Sequence, residues 1–329
     1  MKLHDVAVVG ATGLVGRTMV QVLEEKNFPV NRLVLLASER SKGREIPFHG
    51  KSVRVNVLEP DQFRHVEFAL FSAGARVSSE FAPLAVKHGA VVIDNSSAFR
   101  TDEQIPLVVP EVNRKQIFKH QGIISNPNCA TIQLVVVLKP LHDAKVIKRV
   151  VVSTYQSVSG AGKKGLNQLN DELAHRTGDM VFPHSIADNA LPQIDVFFED
   201  GYSKEEYKIM NETKKIMGAN IKVTATAVRV PVASAHSEAV NIEFEKSCTP
   251  DDVRTILRDA PGVVIQDDPK KNIYPLARNA SGKDEVFVGR IRKDDTVKNG
   301  INLWIVADNV RKGAATNAVQ IAEALALGR

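Results

Sequence analysis

Over the first hundred residues, short β-branched runs alternate with apolar positions at helical spacing. Residues 6–9 form such a run and stop at a glycine, as a buried strand feeding a turn does. Leu14, Val15, Met19, Val22 and Leu23 follow at helical spacing, which predicts a helix over residues 14–25. Residues 33–36, 53–57, 68–71 and 91–93 read as further strands, with a helical stretch at 81–87 between the last two. Strands alternating with helices predict an α/β fold with a doubly wound parallel sheet of the Rossmann type.

The pattern changes after Asn128. Residues 131–138 are apolar on all sides, as in a buried helix, and residues 150–154 read as a strand. Longer, more alternating runs at 221–230, 239–244, 286–291 and 301–306 predict a mixed or antiparallel sheet in a second, α+β domain. Ala318, Val319, Ala322 and Leu325 give the last segment, 314–327, a helical face that is expected to pack back on the first domain. The expected division is residues 1–127 plus 309–329 for nucleotide binding, and 128–308 for catalysis and dimerisation.

Composition narrows the function classes. The 329 residues have room for two domains, and 43% hydrophobic residues can fill two cores. The net charge of +5 is spread along the chain, which favours anionic small ligands weakly and nucleic acid not at all. Two cysteines make no disulfide framework and fit a reducing cytoplasm. Asp5 interrupts any signal-peptide core, and no apolar run approaches the roughly 20 residues of a membrane span. A cytoplasmic protein without membrane contact and without a metal site is expected.

Gly10-Ala11-Thr12-Gly13-Leu14-Val15-Gly16 joins the first strand to the first helix. Glycines there let the backbone turn tightly and approach a pyrophosphate, which the free N–H groups of the helix N-terminus can hold. The second strand ends at Ser38-Glu39-Arg40-Ser41. A guanidinium flanked by hydroxyls suits the 2′-phosphate of NADP, although Glu39 could serve the 2′-hydroxyl of NAD.

Ser125-Asn126-Pro127-Asn128-Cys129-Ala130-Thr131 is the most informative stretch. Pro127 keeps Asn126 extended, Asn128 is a good N-cap, and an apolar helix follows. Cys129 would then sit in a first helical turn, where the helix dipole favours a thiolate able to attack a carbonyl. The plain alternative is a buried structural cysteine. His236 lies 107 residues further on, at the end of a strand-like run, as a spatial partner would. Cys248 lacks this setting.

Four blocks carry a family resemblance: residues 10–16, residues 125–131, Thr154-Tyr155-Gln156-Ser157-Val158-Ser159-Gly160-Ala161-Gly162, and Arg229-Val230-Pro231-Val232-Ala233-Ser234-Ala235-His236-Ser237. In this order the chain resembles the bacterial aspartate-β-semialdehyde dehydrogenase family over essentially its whole length. The cysteine and Tyr-Gln blocks are the specific ones. The resemblance implies Cys129 as nucleophile, His236 as acid/base and Gln156 as the amide that orients the covalent intermediate. It further implies Arg229 for the substrate carboxylate, Glu212 for its ammonium, Arg100 and Lys215 for phosphate, and Asn128 beside the nucleophile. Gly10, Thr12, Gly13, Leu14, Val15, Gly16, Ser38, Arg40, Ser41 and Asn317 would hold NADP. For Glu212 and Lys215 the alternative is an i, i+3 ion pair on a helix surface.

The implied reaction is reversible and phosphate-dependent. It reduces β-aspartyl phosphate to the semialdehyde through a cysteine thioester, in the branch leading to lysine, threonine and methionine. A homodimer is implied as well. N-acetyl-γ-glutamyl-phosphate reductase is the nearest alternative, and a non-catalytic nucleotide-binding relative is a more distant one. The Ser159-to-Gly165 stretch is rich in glycine and lysine but lacks the spacing of a nucleotide P-loop.

Overall fold

The computed structural model describes residues 2–328, which divide into two compact units. Among them the first comprises residues 2–128 and 314–328; the second comprises 129–313.

The first unit is built on β1 (His4–Val9), α1 (Leu14–Glu25), β2 (Val30–Ala37), β3 (Glu45–Phe48), β4 (Lys51–Val57), β5 (Phe68–Phe71), α2 (Ala75–Lys87), β6 (Val91–Asp94), the one-turn α3 (Pro110–Asn113) and β7 (Ile123–Ser125). Its seven strands form one sheet in the order β3-β4-β2-β1-β5-β6-β7. All neighbours are parallel except β3 and β4, an antiparallel pair at the edge. Strands buried on both faces need unbroken apolar runs, and β5 is buried at all four positions. Val6, Val8, Leu35 and Leu70 face one core with Met19 and Leu23 of α1. Ala7, Val9, Leu36 and Phe71 face the other with Ala82 and Ala85 of α2. The strand order reverses beside β1, which puts the mouth of a nucleotide site at the end of that strand.

The second unit begins with α4 (Cys129–Lys145) and β8 (Ile147–Gln156), followed by α5 (Gly162–Leu173), α6 (Lys204–Met217), β9 (Lys222–Arg229), β10 (His236–Phe244), α7 (Pro250–Arg258), β11 (Val263–Ile265), the one-turn α8 (Ala277–Ala280), β12 (Val286–Asp294) and β13 (Gly300–Ala307). Its six-stranded sheet runs β11-β12-β13-β10-β8-β9 and is mixed: β8–β9 and β11–β12 are parallel, the other pairs antiparallel. Helices α4, α6 and α7 pack against this sheet. Alternate residues of β8 (Val150, Val152, Thr154, Gln156) are therefore buried, while Val151, Ser153 and Tyr155 point to the other, partly exposed face.

The chain returns to the first unit through a π-helical turn, Arg311–Ala315, and ends in α9 (Thr316–Leu327). Ala318, Val319, Ile321 and Ala322 join the β1–α1 core, so the terminal helix completes the first unit. The return falls at 313/314 rather than at the expected 308/309. Asp308 and Asn309 still bond within the second unit: Asp308 accepts from the Gly282 N–H at 2.7 Å, and Asn309 from the Ala235 N–H at 3.0 Å.

Candidate active site

In the first unit the glycine turn has the shape a dinucleotide requires. Gly10 adopts φ +84°, and a Cβ there would lie 2.4 Å from the Ser72 carbonyl oxygen. A Cβ on Gly16 would lie 2.2 Å from the Gly10 oxygen. Helix α1 starts after Gly13 with no side-chain cap and no acidic residue in its first turn. Its leading N–H groups are thus left without a competing anion, as a pyrophosphate needs. Thr12 Oγ1 and Ser41 Oγ lie 3.2 Å apart, so the turn meets the end of the second strand. Ser38, Glu39 and Arg40 are exposed there, and Glu39 is held by Lys42 at 3.2 Å. The residues present fit a bound dinucleotide.

Three further expected residues belong to this unit. Arg100 is buried, and its Nη2 donates to the Asn95 carbonyl at 2.9 Å. Asn128 is buried at the end of the segment that leads into α4. Asn317 is fully buried, and its Nδ2 donates to the Val108 carbonyl (2.9 Å) and to Asn126 Oδ1 (2.7 Å). Those bonds make it a brace for Asn126.

In the second unit Cys129 opens α4, as the Asn-Cys-Ala sequence predicts. Its neighbours Ala130 and Thr131 are fully buried, yet Cys129 itself keeps partial exposure, so it is not a core thiol. Gly313, in the π-turn, makes room for it: a Cβ there would lie 2.9 Å from Cys129 Cβ. Cys248 is different. It is buried, and burial pushes its thiol up to about 11.

Around the sulfur the second sheet gathers three distant residues. His236, the first residue of β10, sets Nε2 3.2 Å from Cys129 Sγ. Gln156, the last residue of β8, has Nε2 3.4 Å from the same imidazole nitrogen. Arg229 ends β9 and donates from Nη1 to the Ser157 carbonyl at 2.7 Å. Since β8 and β9 are parallel in register, Gln156 sits opposite Arg229. A Cβ on Gly160 would lie 2.8 Å from Arg229 Nη1 and 3.6 Å from His236 Cε1, so the loop after β8 presses on both.

The electrostatics suit a buried anion. Burial pulls the Arg229 guanidinium below its ordinary value, against the charges of Glu205 and Cys129. Burial, then the Arg229 charge, pushes the His236 imidazole down to about 3, with Glu205 opposing. His236 is therefore neutral at physiological pH, and the Arg229 guanidinium is a cation that feels the charge of the sulfur.

Helix α6 carries Glu205, Lys208, Glu212 and Lys215 on one stripe, at i, i+3, i+7 and i+10. Glu205 and Glu212 are buried, and Lys215 is half-buried. Glu205 had no place among the expected site residues. It accepts from Gln156 Nε2 at 3.1 Å and from Lys208 Nζ at 3.0 Å. Its signal was available in the sequence, seven residues before Glu212 on the same helical face. Ser157 and Asn309 were missed too; Ser157 lies inside the Tyr-Gln block, whereas Asn309 has no local signature.

This arrangement can be set beside known proteins. The family model for semialdehyde dehydrogenase NAD-binding domains matches residues 5–120, and that for their dimerisation domains matches 138–312. The aspartate-semialdehyde dehydrogenase of Aquifex aeolicus is 58% identical, covering 98% of both chains. The chain belongs to the aspartate-semialdehyde dehydrogenase family. It is thus an NAD(P)-binding oxidoreductase, with a Rossmann-like unit for the nucleotide and a second, mixed-sheet unit. The structure of aspartate semialdehyde dehydrogenase II from Vibrio cholerae, complexed with ASA, is 49% identical and superposes with a TM-score of 0.96, covering 99% of each chain. The Candida albicans enzyme with NADP is 26% identical, with a TM-score of 0.77 and 98% coverage of each chain. Among the described residues no helix is long and apolar enough to cross a membrane.

Proposed function

We propose that the chain converts β-aspartyl phosphate to aspartate β-semialdehyde, reversibly, with Cys129 as the covalent nucleophile and NADP as the preferred nucleotide. The observation that carries this reading is the partly exposed Cys129 sulfur at the start of a helix, 3.2 Å from a buried imidazole. The Cys129 thiolate attacks the acyl carbon; the C–S bond forms, the C–O bond to phosphate breaks, and phosphate leaves with its electron pair. When bound, NADPH supplies the hydride that reduces the acyl carbon. The resulting hemithioacetal collapses to aldehyde and thiolate. Arg229 and the α4 N-terminus offset the charge on sulfur, and His236 and Gln156 hold the oxygen and sulfur in place.

For recognition, Arg229 pairs with the substrate carboxylate and Glu212 with its ammonium, while Arg100, Lys215 and Asn128 serve phosphate and the reacting group. A buried Glu212 favours a substrate with a free ammonium over an N-acetylated one, which sets the reading above N-acetyl-γ-glutamyl-phosphate reductase. Ser38, Arg40 and Ser41 favour NADP through the 2′-phosphate. The half-exposed Val151, Val228, Ala239 and Trp304, with exposed Tyr155, lie on the sheet face away from α4, and we assign that face to a homodimer. The reaction belongs to the lysine, threonine and methionine branch, in the cytoplasm.

The test is phosphate-dependent NADP reduction, comparing aspartate semialdehyde with N-acetylglutamate semialdehyde. The expected result is turnover of the first, abolished in Cys129→Ala with nucleotide binding retained. Turnover surviving in Cys129→Ala sinks the covalent mechanism.

A further inference from the structure

Asn309 follows β13, is buried, and bonds to Ala235 and Ser157, the residues on either side of the His236 ring. Its Oδ1 accepts from the Ala235 N–H at 3.0 Å and from Ser157 Oγ at 3.0 Å, and its Nδ2 donates to Ser159 Oγ at 3.0 Å. The Ala235 N–H can only donate, so the carboxamide has one permitted orientation; the flipped amide would set two donors face to face. The hydroxyls close the ring, with Ser157 Oγ and Ser159 Oγ 3.0 Å apart. Ser157, Ser159, Ala235 and Asn309 are all buried, so water cannot replace these bonds. Ala235 adopts φ +71°, a left-handed conformation that a β-carbon disfavours, directly before His236.

The consequence reaches the imidazole through Ser157. The Ser157 N–H donates to His236 Nδ1 at 3.0 Å. A backbone amide nitrogen has no lone pair to offer, so Nδ1 must be the acceptor, and the neutral ring carries its proton on Nε2. Gln156 Nε2, 3.4 Å from His236 Nε2, would prefer a lone pair there. That contact is the longer one, and the amide already has a carboxylate partner in Glu205 at 3.1 Å; Ser157 Oγ also lies 3.1 Å from Nδ1, but a hydroxyl can turn and a backbone N–H cannot, so the Ser157 N–H decides the tautomer.

We propose that Asn309 is a positioning residue for the reaction: by clamping Ser157 and Ala235 it holds His236 with its proton on Nε2, so that the ring presents a donor, and not a lone pair, to the Cys129 sulfur. The proposal rests on reading Cys129 and His236 as the reacting pair. A thiol sulfur accepts from Nε2–H only weakly, whereas a thiolate accepts it as a charge-assisted bond, so the arrangement favours the thiolate. The charge is then offset by Arg229 instead of an imidazolium. The charged groups facing the ring are Cys129 from α4, Arg229 from β9 and Glu205 from α6; β8 contributes the uncharged Gln156 and Ser157.

The experiment has two arms, both in a Cys248→Ser background so that Cys129 is the only thiol. In the first, nitrogen-15 NMR of histidine-labelled enzyme reads the His236 tautomer directly. Protonation at Nε2 with Nδ1 hydrogen-bonded is expected, and protonation at Nδ1 overturns the proposal whatever the variants do. In the second, the pH dependence of Cys129 alkylation by iodoacetamide is compared between this background, Asn309→Ala and Asn309→Asp. The alanine variant is expected to alkylate roughly tenfold more slowly at pH 7, with kcat down by a similar factor and KM within about twofold. Asn309→Asp keeps the acceptor but adds a negative charge beside the ring, and is expected to move the kcat profile to higher pH. An unchanged alkylation profile in folded Asn309→Ala overturns the proposal. Turnover in Cys129→Ala would sink the underlying catalytic reading instead, so the two failures are told apart.

Discussion

Glu205 and Gln156 form a buried pair, with the carboxylate accepting from Gln156 Nε2 at 3.1 Å while Gln156 Oε1 accepts from the Thr154 hydroxyl at 2.9 Å. Both ends of the amide are thereby assigned, and the side chain has one orientation toward His236. Lys208 anchors the carboxylate at 3.0 Å and is itself tied to Asp195 at 3.0 Å. Burial works against the Lys208 ammonium, but Glu205 and Asp195 more than offset it and raise its pKa above the usual lysine value.

Glu205→Gln keeps the shape but removes the charge that orients Gln156 and opposes the desolvation of Arg229. We expect kcat to fall about tenfold or more and stability by about 1–3 kcal/mol. Steady-state kinetics and urea unfolding check it. A kcat equal to wild type would show that Gln156 needs no carboxylate to hold its place.

Gly10→Ala must place a Cβ at φ +84° and 2.4 Å from a carbonyl oxygen. The backbone strain alone costs about 1–3 kcal/mol, and the turn cannot keep its approach to a pyrophosphate. Thermal unfolding should shift downward, and NADP titration followed by fluorescence should show lost binding.

Arg40→Ala should raise the KM for NADP roughly tenfold and leave that for NAD within about twofold, because a guanidinium pays off against a 2′-phosphate and not against a hydroxyl. Equal effects on the two nucleotides would remove Arg40 from the selection.

Two buried groups shape stability against pH in opposite directions. His236 is depressed from 6.5 to about 3, mainly by burial, so the unfolded chain takes up a proton that the folded one refuses. Its contribution is full above about 6.5 and is lost as pH falls toward 3. Glu238, two residues along β10, is fully buried and raised well above 4.5 by burial, with the Gln133 amide opposing only in part. Its contribution is full below 4.5 and is lost as pH rises. Each slope is at most about 1.4 kcal/mol per pH unit. Glu238→Gln should therefore be more stable than wild type at pH 8, and His236→Asn less acid-sensitive between pH 6 and 4. Urea midpoints measured from pH 4 to pH 8 decide both.

Much of this was legible along the chain. Residues 14–25 were expected as a helix and α1 spans Leu14–Glu25, because a run of apolar positions at one helical spacing has one partner face to find. The mixed sheet of the second unit was legible from alternation, since a sheet covered on one face by helices buries every other residue. Helix α2 starts at Ala75, six residues before the expected 81, because its first turns carry polar residues that periodicity does not register. The edge strand β3 was missed for a related reason: Glu45-Ile46-Pro47-Phe48 is short and holds a proline, which an edge strand tolerates.

By itself the sequence determined which chemistry was present: a glycine turn for a dinucleotide, a cysteine at a helix start, an imidazole and arginines for anions. These are local, because turn geometry and helix entry depend on neighbours along the chain. Tertiary structure alone decided the protonation of that chemistry. Whether His236 bears its proton on one nitrogen or the other, and whether Gln156 points its amide one way, depends on a donor from Ser157 and acceptors from Glu205 and Asn309, up to 152 residues apart along the chain. A hydrogen bond has a direction as well as a length, and that direction is assigned only once the sheet has closed around it.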